Sequence, residues 1–191
     1  MRLIFMGPPG AGKGTQAQIV AERFGIPAIS TGDIFRANVS KGTTLGIEAQ
    51  RYMDAGEYVP DTVTNLMVRN RIDEEDAVKG FLLDGYPRTL AQVDELDGMI
   101  NYTGHRLDAV VCIAVDSDEL VRRLSSRAET EGRTDDTEDV IRRRQELYLE
   151  QTEPLVEVYR ERGLLCEVDG SGHVDEVTQR ILDALGNVQE S

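Results

Sequence analysis

The segment 7–15, which reads GPPGAGKGT, limits the fold of this chain more than any other part of the sequence. It follows a short apolar run at residues 3–6, and it precedes a helical pattern over residues 13–24 that stops at Gly25. A strand that passes through a glycine-rich turn into a helix points several backbone N–H groups and the positive helix end at one place. This context predicts a loop that binds nucleotide phosphates, with Lys13 as a mobile cation beside them.

One position in this loop departs from the general phosphate-loop pattern. That pattern has Ser or Thr directly after the lysine, where the hydroxyl binds magnesium, whereas this chain has Gly14 there and Thr15 next. The loop therefore predicts nucleotide binding, but it offers no hydroxyl at the usual magnesium position. By itself it does not identify the reaction.

Strand and helix patterns alternate along the remaining sequence. Short apolar runs predict five strands, at residues 3–6, 27–29, 81–84, 109–115 and 164–168. Helices are predicted at residues 13–24, 32–39, 44–55, 61–74, 90–100, 118–127, 137–162 and 174–185, with a kink at Pro154 in the long one. This order is typical of a P-loop three-layer α/β/α fold with a five-stranded parallel sheet, which binds its ligands at the carboxyl ends of the strands.

Two segments interrupt this order, and both are expected to be mobile excursions. Residues 30–59 are mostly helical and lie between strand-like runs, and residues 126–136 are short and polar. The expected core domain therefore consists of residues 1–29, 60–125 and 137–191.

Charge and cysteine content narrow the range of partners. The net charge is −14, which disfavours general binding to nucleic acid or to an anionic membrane. The apolar run at the N-terminus is too short for a signal-peptide core or a membrane span, so a cytoplasmic monomer is expected. Cys112 and Cys166 lack a CxxC partner and are expected to be buried thiols, although a disulfide stays open. With two distant histidines, they do not form a structural zinc site.

The basic residues are mostly arginines, and this suits recognition of phosphates. Of the 21 basic residues only Lys13, Lys41 and Lys79 are lysines, and the other 18 are arginines. Arginine binds phosphate through two parallel hydrogen bonds, which lysine cannot do.

Further motifs make the resemblance to one family specific. The stretches are ISTGDIFR at residues 29–36, GEYVP at 56–60, FLLDGYPR at 81–88 and GRTDD at 132–136, together with Arg127 and Arg144. With the loop and its Gly14, they make the chain resemble the adenylate kinase family from end to end and in the family's order. The resemblance implies reversible, direct in-line transfer of the γ-phosphoryl group from Mg-ATP to AMP, giving two ADP. It also implies that residues 30–59 bind AMP and that residues 126–136 form a short lid without a zinc-bearing insertion.

The resemblance also assigns roles to individual residues. The implied ATP contacts are Gly10, Ala11, Gly12, Lys13, Gly14, Thr15, Arg127 and Gly172. The implied AMP contacts are Thr31, Arg36, Glu57, Tyr58, Val59, Gly85, Tyr86, Pro87, Arg88, Gln92, Arg133 and Arg144. The implied catalytic charges are Lys13, Arg88, Arg127, Arg133 and Arg144. Asp84 ends an apolar strand and is expected to hold magnesium through water.

Some alternatives stay open at this point. Thr31 can be a plain helix cap, Asp84 a cap of a turn or helix, and the Gly170-Ser171-Gly172 sequence a simple turn. A related kinase acting on UMP or CMP is the nearest rival, and Thr31 and Gln92 argue against it. A catalytically inactive regulatory module is the rival from another class, and it should lack one of the charged residues, all of which are present.

Overall fold

The computed structural model of the chain describes the backbone of residues 1–131 and 137–189, and the side chains of residues 1–124 and 137–186. Within these residues, parallel strands form one five-stranded sheet in the order β2-β3-β1-β4-β5, which confirms the predicted fold. The strands are β1 (Arg2–Met6), β2 (Ala28–Ser30), β3 (Phe81–Asp84), β4 (Ala109–Ala114) and β5 (Leu165–Asp169). The helices are α1 (Lys13–Phe24), α2 (Thr31–Ser40), α3 (Thr44–Asp54), α4 (Asp61–Ile72), α5 (Leu90–Tyr102), α6 (Ser117–Glu131), α7 (Glu138–Leu147), α8 (Pro154–Glu161) and α9 (Val174–Gln189).

The central strand β1 is buried on both faces, which explains its continuous apolar run. Leu3 and Phe5 face one side, where they pack in a cluster with residues of α1, α6 and α9. Ile4 and Met6 face the other side, where the cluster includes residues of α4, α5 and α8. Side chains that alternate between the two faces of a strand thus anchor a helical layer on each side.

The register of the strands sets the position of the candidate site. Phe5 in β1 is paired with Asp84 in β3, and Asp84 is paired in turn with Ser30 in β2. The carboxyl ends of these three strands therefore lie next to one another. The glycine-rich loop, the turn after β3 and the start of α2 all leave the sheet at this edge.

Helices α2 and α3 form an arm with a small core of its own. Phe35, Ala49 and Val59 are buried together, apart from the two clusters at the sheet. The helices approach so closely that a Cβ atom built on Gly46 would lie 2.2 Å from the carbonyl oxygen of Asn38. Glycine at this position is therefore a packing requirement.

The long helix predicted at residues 137–162 is divided into α7, a π-helical turn at Tyr148–Thr152, and α8. Pro154 has no N–H group, and its ring excludes the normal helical bond in the preceding turn. The backbone N–H of Glu153 instead donates to the carbonyl of Tyr148, five residues earlier, at 2.8 Å. The predicted kink is thus a widened turn that lies before the proline.

Helix α6 is longer than the sequence predicts. Helix α6 runs four residues past its predicted end at Arg127 and into the predicted excursion.

Cys112 is buried as predicted, and burial raises the pKa of its thiol to about 11, whereas Cys166 is only half-buried because β5 is an edge strand. None of the helices in the described part of the chain combines the length and apolar character that a membrane crossing requires.

The close approach of α2 and α3 predicts opposite effects for two glycine-to-alanine substitutions. Gly46→Ala forces the helices apart and should lower the free energy of unfolding by about 1–3 kcal/mol. Gly98→Ala, in the exposed middle of α5 with no atom near the added methyl group, should raise it by about 0.5–1 kcal/mol through helix propensity. Urea denaturation of both variants and the parent measures the two shifts, and a Gly46→Ala protein as stable as the parent would contradict the packing argument.

Candidate active site

A cavity of about 1050 Å³ opens at the carboxyl ends of β1 and β3. The glycine-rich loop forms part of its lining, and α2, residues 56–59, the turn after β3, α6 and α7 are among the other elements that contribute. The predicted site residues that line this cavity are Gly10, Gly12, Lys13, Gly14, Thr15, Thr31, Arg36, Glu57, Tyr58, Val59, Asp84, Gly85, Pro87, Arg88, Gln92 and Arg144. Residues from distant parts of the sequence therefore meet in one place.

The other predicted residues are placed differently. Ala11 and Tyr86 are buried beside the cavity, and the Tyr86 hydroxyl donates to Oδ1 of Asn65 at 2.8 Å. Gly172 lies in the turn after β5, where a Cβ atom built on it would come 2.5 Å from Oε2 of Glu176. The Arg127 side chain and the whole of Arg133 lie outside the described residues.

The glycine-rich loop curls around its own lysine. Gly12 adopts a left-handed conformation, with φ of 88°, and caps α1, which begins at Lys13. The Lys13 ammonium group donates to the carbonyl oxygens of Gly7 and Pro8 at 2.7 and 3.0 Å. The first turn of α1 contains no acidic residue, and the N–H groups and positive end of a helix N-terminus suit an anion.

Asp84 lies beside the start of α1, although the two are far apart in sequence. A Cβ atom built on Gly14 would be 3.6 Å from Oδ2 of Asp84, so the missing side chain of Gly14 leaves the carboxylate close to the loop. Among the described residues no cluster of three or more metal-ligating side chains occurs. A single carboxylate beside a phosphate site fits magnesium, which keeps most of its waters and binds substrate phosphates.

Three arginines converge on the opposite side of the cavity. Burial lowers the pKa of the Arg88 guanidinium, and the nearby positive charges of Arg144 and Arg36 lower it further, against the influence of Tyr58 and Asp84. Arg36 also pairs with a carboxylate on its own helix, that of Asp33. Positive charges held this close repel one another, so the arrangement favours a bound anion.

The Arg88 side chain is held by a carbonyl group and an aromatic ring. Its Nε donates to the carbonyl oxygen of Gly85 at 2.8 Å, and its guanidinium carbon lies 5.0 Å from the centre of the Tyr58 ring. Among the residues that the structure describes, Arg88 forms no ion pair with a carboxylate. A guanidinium that gives up water without gaining a counter-ion is suited to receive a phosphate.

Thr31 and the turn after β3 line the cavity beside Arg88. The Thr31 hydroxyl donates to the carbonyl oxygen of Gly85 at 3.0 Å, whereas the helix cap predicted as its alternative role belongs to Ser30. Gly85 has φ of 80°, and a Cβ atom there would lie 2.9 Å from both Oγ1 of Thr31 and Nη2 of Arg88. Only glycine fits between these two side chains.

Gln92 is buried, with 2% of its surface exposed, and its amide group is fixed by two bonds. Its Oε1 accepts from the backbone N–H of Arg88 at 2.7 Å, and its Nε2 donates to Oδ1 of Asp61 at 2.6 Å. One Nε2 hydrogen remains for another partner, because an amide group has two donors. Gln92 can thus offer a single donor to a ligand in the cavity.

Sequence reasoning missed several residues of this site. Arg123 lines the cavity near Gly12, and it donates to the carbonyl of Gly170 at 3.0 Å and to Oε1 of Glu119 at 2.8 Å. It lies one helical turn before Arg127, and this spacing of four was the signal in the sequence. Thr152 donates to the carbonyl of Arg88 at 2.9 Å and bonds the Tyr58 hydroxyl, a contact that depends on the π-helical turn and has no local signal.

Comparison with known proteins identifies the family. A protein-family model described as adenylate kinase matches residues 5–164. A curated adenylate kinase of Nocardioides sp. is 75% identical over 191 residues, which is the full length of both chains. Adenylate kinases of Kocuria rhizophila and Renibacterium salmoninarum are 61% and 58% identical over 184 and 188 residues, which cover 96% and 98% of this chain and 98% and 97% of theirs. The chain belongs to the adenylate kinase family.

Proposed function

We propose that this cavity transfers the γ-phosphoryl group of ATP to AMP, reversibly and with magnesium, by direct in-line attack that gives two ADP. The observation that carries the proposal is one cavity with two anion sites. The loop around Lys13 forms the first, and the arginines beside the Gly85 turn form the second. Two phosphate groups can therefore be held facing each other, which is the main requirement for phosphoryl transfer.

ATP is the ligand of the loop in this proposal. Its phosphates accept from the backbone N–H groups of residues 10–15, and the Lys13 ammonium exchanges the carbonyls of Gly7 and Pro8 for phosphate oxygens. Arg123 holds the carbonyl of Gly170 beside the loop, which supports a place for the nucleoside near Arg127 and Gly172.

AMP occupies the side formed by α2 and the turn after β3. Its phosphate is bound by Arg36, Arg88 and Arg144, whose charges are already concentrated there, and by Arg133 from the lid segment. Its base lies near Thr31 and Gln92. The segment Glu57, Tyr58 and Val59 and the turn residues Gly85, Tyr86 and Pro87 complete the site.

Magnesium fits beside Asp84. The carboxylate would hold the ion through water, since Gly14 contributes no side-chain oxygen of its own. A magnesium ion supplies charge neutralisation on the β- and γ-phosphate oxygens.

The chemistry of the acceptor explains why the transfer needs positive charge but no general base. A phosphate monoester has a second pKa of about 6, so AMP is mostly a dianion at neutral pH and attacks without a general base. The obstacle is repulsion between two highly charged substrates, which Lys13, Arg88, Arg127, Arg133 and Arg144 offset. We expect the catalytic unit to be a monomer.

We expect the segments 30–59 and 126–136 to move over the substrates as an AMP-binding segment and a short lid on the core domain. The separate core of α2 and α3 supports movement of the first segment as one body. Closure would exclude water, which otherwise competes with AMP for the phosphoryl group.

The base contacts predict the preferred acceptor. Purified protein with Mg-ATP, offered AMP, GMP, CMP and UMP in turn, should form nucleoside diphosphate fastest with AMP. A coupled assay of each product measures this. Dominant activity on UMP or CMP would identify a pyrimidine kinase, and activity on none of the four would identify an inactive binding module.

The two anion sites predict large losses when either charge is removed. Lys13→Ala and Arg88→Ala should each lower kcat about a hundredfold or more, because preorganised charge is lost at the transferring group. Lys79→Ala and Arg69→Ala are matched controls on the surface, away from the cavity, and should stay within about twofold of the parent. Steady-state kinetics compare the four variants, and full activity in either of the first two would refute the assignment of the sites.

Movement of the first segment predicts a structural difference between states. Crystal structures with and without a bisubstrate analogue, superposed on the five strands, should show α2 and α3 displaced toward the cavity in the bound state. Unchanged positions of both helices in the two structures would argue that the segment is rigid.

A further inference from the structure

We propose that Asp61 is a positioning residue that fixes the orientation of the Gln92 amide and thereby selects a purine with an acceptor nitrogen at ring position 1. Asp61 does not line the cavity, and it acts on the nucleobase only through Gln92. The inference rests on the proposed function, because it assumes that AMP binds beside Gln92. It concerns which monophosphates are accepted, not whether phosphoryl transfer occurs.

The Asp61 carboxylate joins the starts of two helices. It is the first residue of α4, separated from the segment 30–59 by Pro60 alone, and its Oδ1 accepts from Nε2 of Gln92 at 2.6 Å. Its Oδ2 accepts from the hydroxyl of Thr89 at 3.1 Å, and Thr89 caps α5, the helix that carries Gln92. Both carboxylate oxygens are therefore used to hold one end of α5.

The two partners of the Gln92 amide permit only one orientation. The backbone N–H of Arg88 can only donate, so it requires Oε1 of Gln92 on its side. An ionised carboxylate can only accept, so Asp61 requires Nε2 on the other side. If the amide rotated by half a turn, two acceptors would face each other at Asp61 and two donors at Arg88. Each such buried mismatch leaves polar groups unsatisfied, which is strongly unfavourable.

The fixed amide holds its remaining Nε2 hydrogen at one set position, and does not place its oxygen there. Adenine has an unprotonated nitrogen at ring position 1, which can accept from the second Nε2 hydrogen. Hypoxanthine and guanine carry a hydrogen on that nitrogen, which would meet the Nε2 donor head on. A site built to hydrogen-bond one partner rejects a mismatched analogue strongly, because its buried polar groups lose their partner. Asp61 thus converts a group that could serve either kind of base into one that selects AMP over IMP.

Specificity measured as the ratio of kcat/KM for AMP to that for IMP tests this inference. Asp61→Ala should narrow the ratio about tenfold, because one of the two contacts that fix the amide orientation is then lost, and should change the KM for ATP less than about twofold. Asp61→Asn is the conservative control, since its side-chain oxygen can still accept from Gln92 while its amide faces Thr89. It should keep the ratio within about twofold of the parent.

A double-mutant cycle separates positioning from a general structural effect. In a Gln92→Ala background, Asp61→Ala should leave the ratio unchanged, because the group through which Asp61 acts is gone. If Asp61→Ala does not fold, Thr89→Val removes the second bond of the same carboxylate and should narrow the ratio, with Thr89→Ser as its matched control. Equal losses for AMP and IMP in Asp61→Ala, or a narrowing that persists without Gln92, would overturn the inference. A parent enzyme that is inactive on AMP would instead refute the proposed function.

Discussion

The placement of a half-buried arginine that has no carboxylate partner among the described side chains is the physical constraint on which the cavity depends. Arg88 loses water on burial, and the carbonyl of Gly85 and the ring of Tyr58 compensate for only part of this loss. Removal of a charge from water is costly unless it is paired. The turn that carries Arg88 follows directly from β3, which is paired with a strand on each side up to Asp84. The positive charge of Arg88 is therefore only partly compensated, and an anionic ligand can neutralise it.

The same constraint explains how a strongly acidic chain handles anionic substrates. The net charge of −14 repels nucleotides at long range, but salt screens exposed charges beyond about 10 Å. Inside the cavity the local balance is reversed, because Lys13 and five arginines line it against four carboxylates. Local arrangement of charge thus decides binding, and the total charge bears on solubility and unspecific partners.

The fold and much of the site could be predicted because their signals are local. The alternation of strands and helices predicts the parallel sheet, and a single run of nine residues predicts the loop around Lys13. Arg123 and Asp61 were missed for a different reason. Their roles depend on which backbone carbonyl or side-chain amide faces them in the folded chain. The spacing of four places Arg123 on the same helix face as Arg127, but it does not specify such a partner. All of the residue roles stay predictions, and the side chains of Arg127 and Arg133 also lie outside the described residues.

Pro154 correctly predicts that the helix is interrupted, but it does not predict the geometry of the interruption. Its missing N–H group predicts an interruption, but whether the helix bends or widens depends on what the neighbouring turn packs against. The structure has a widened turn, and this turn directs the Thr152 hydroxyl toward the backbone of Arg88. The interruption thereby supports the binding site as well as the helix geometry.

This widened turn has a mechanical consequence. In an unbroken helix, Arg144 and Leu155 would move together as one body. Any tilt of the end at the cavity would then displace Leu155, which is completely buried in the core. The π-helical turn has a hydrogen bond between Glu153 and Tyr148, which are five residues apart instead of the usual four. The regular helical bonding is therefore interrupted between α7 and α8. A tilt of α7 at the cavity therefore need not be transmitted in full to α8, which packs on the sheet.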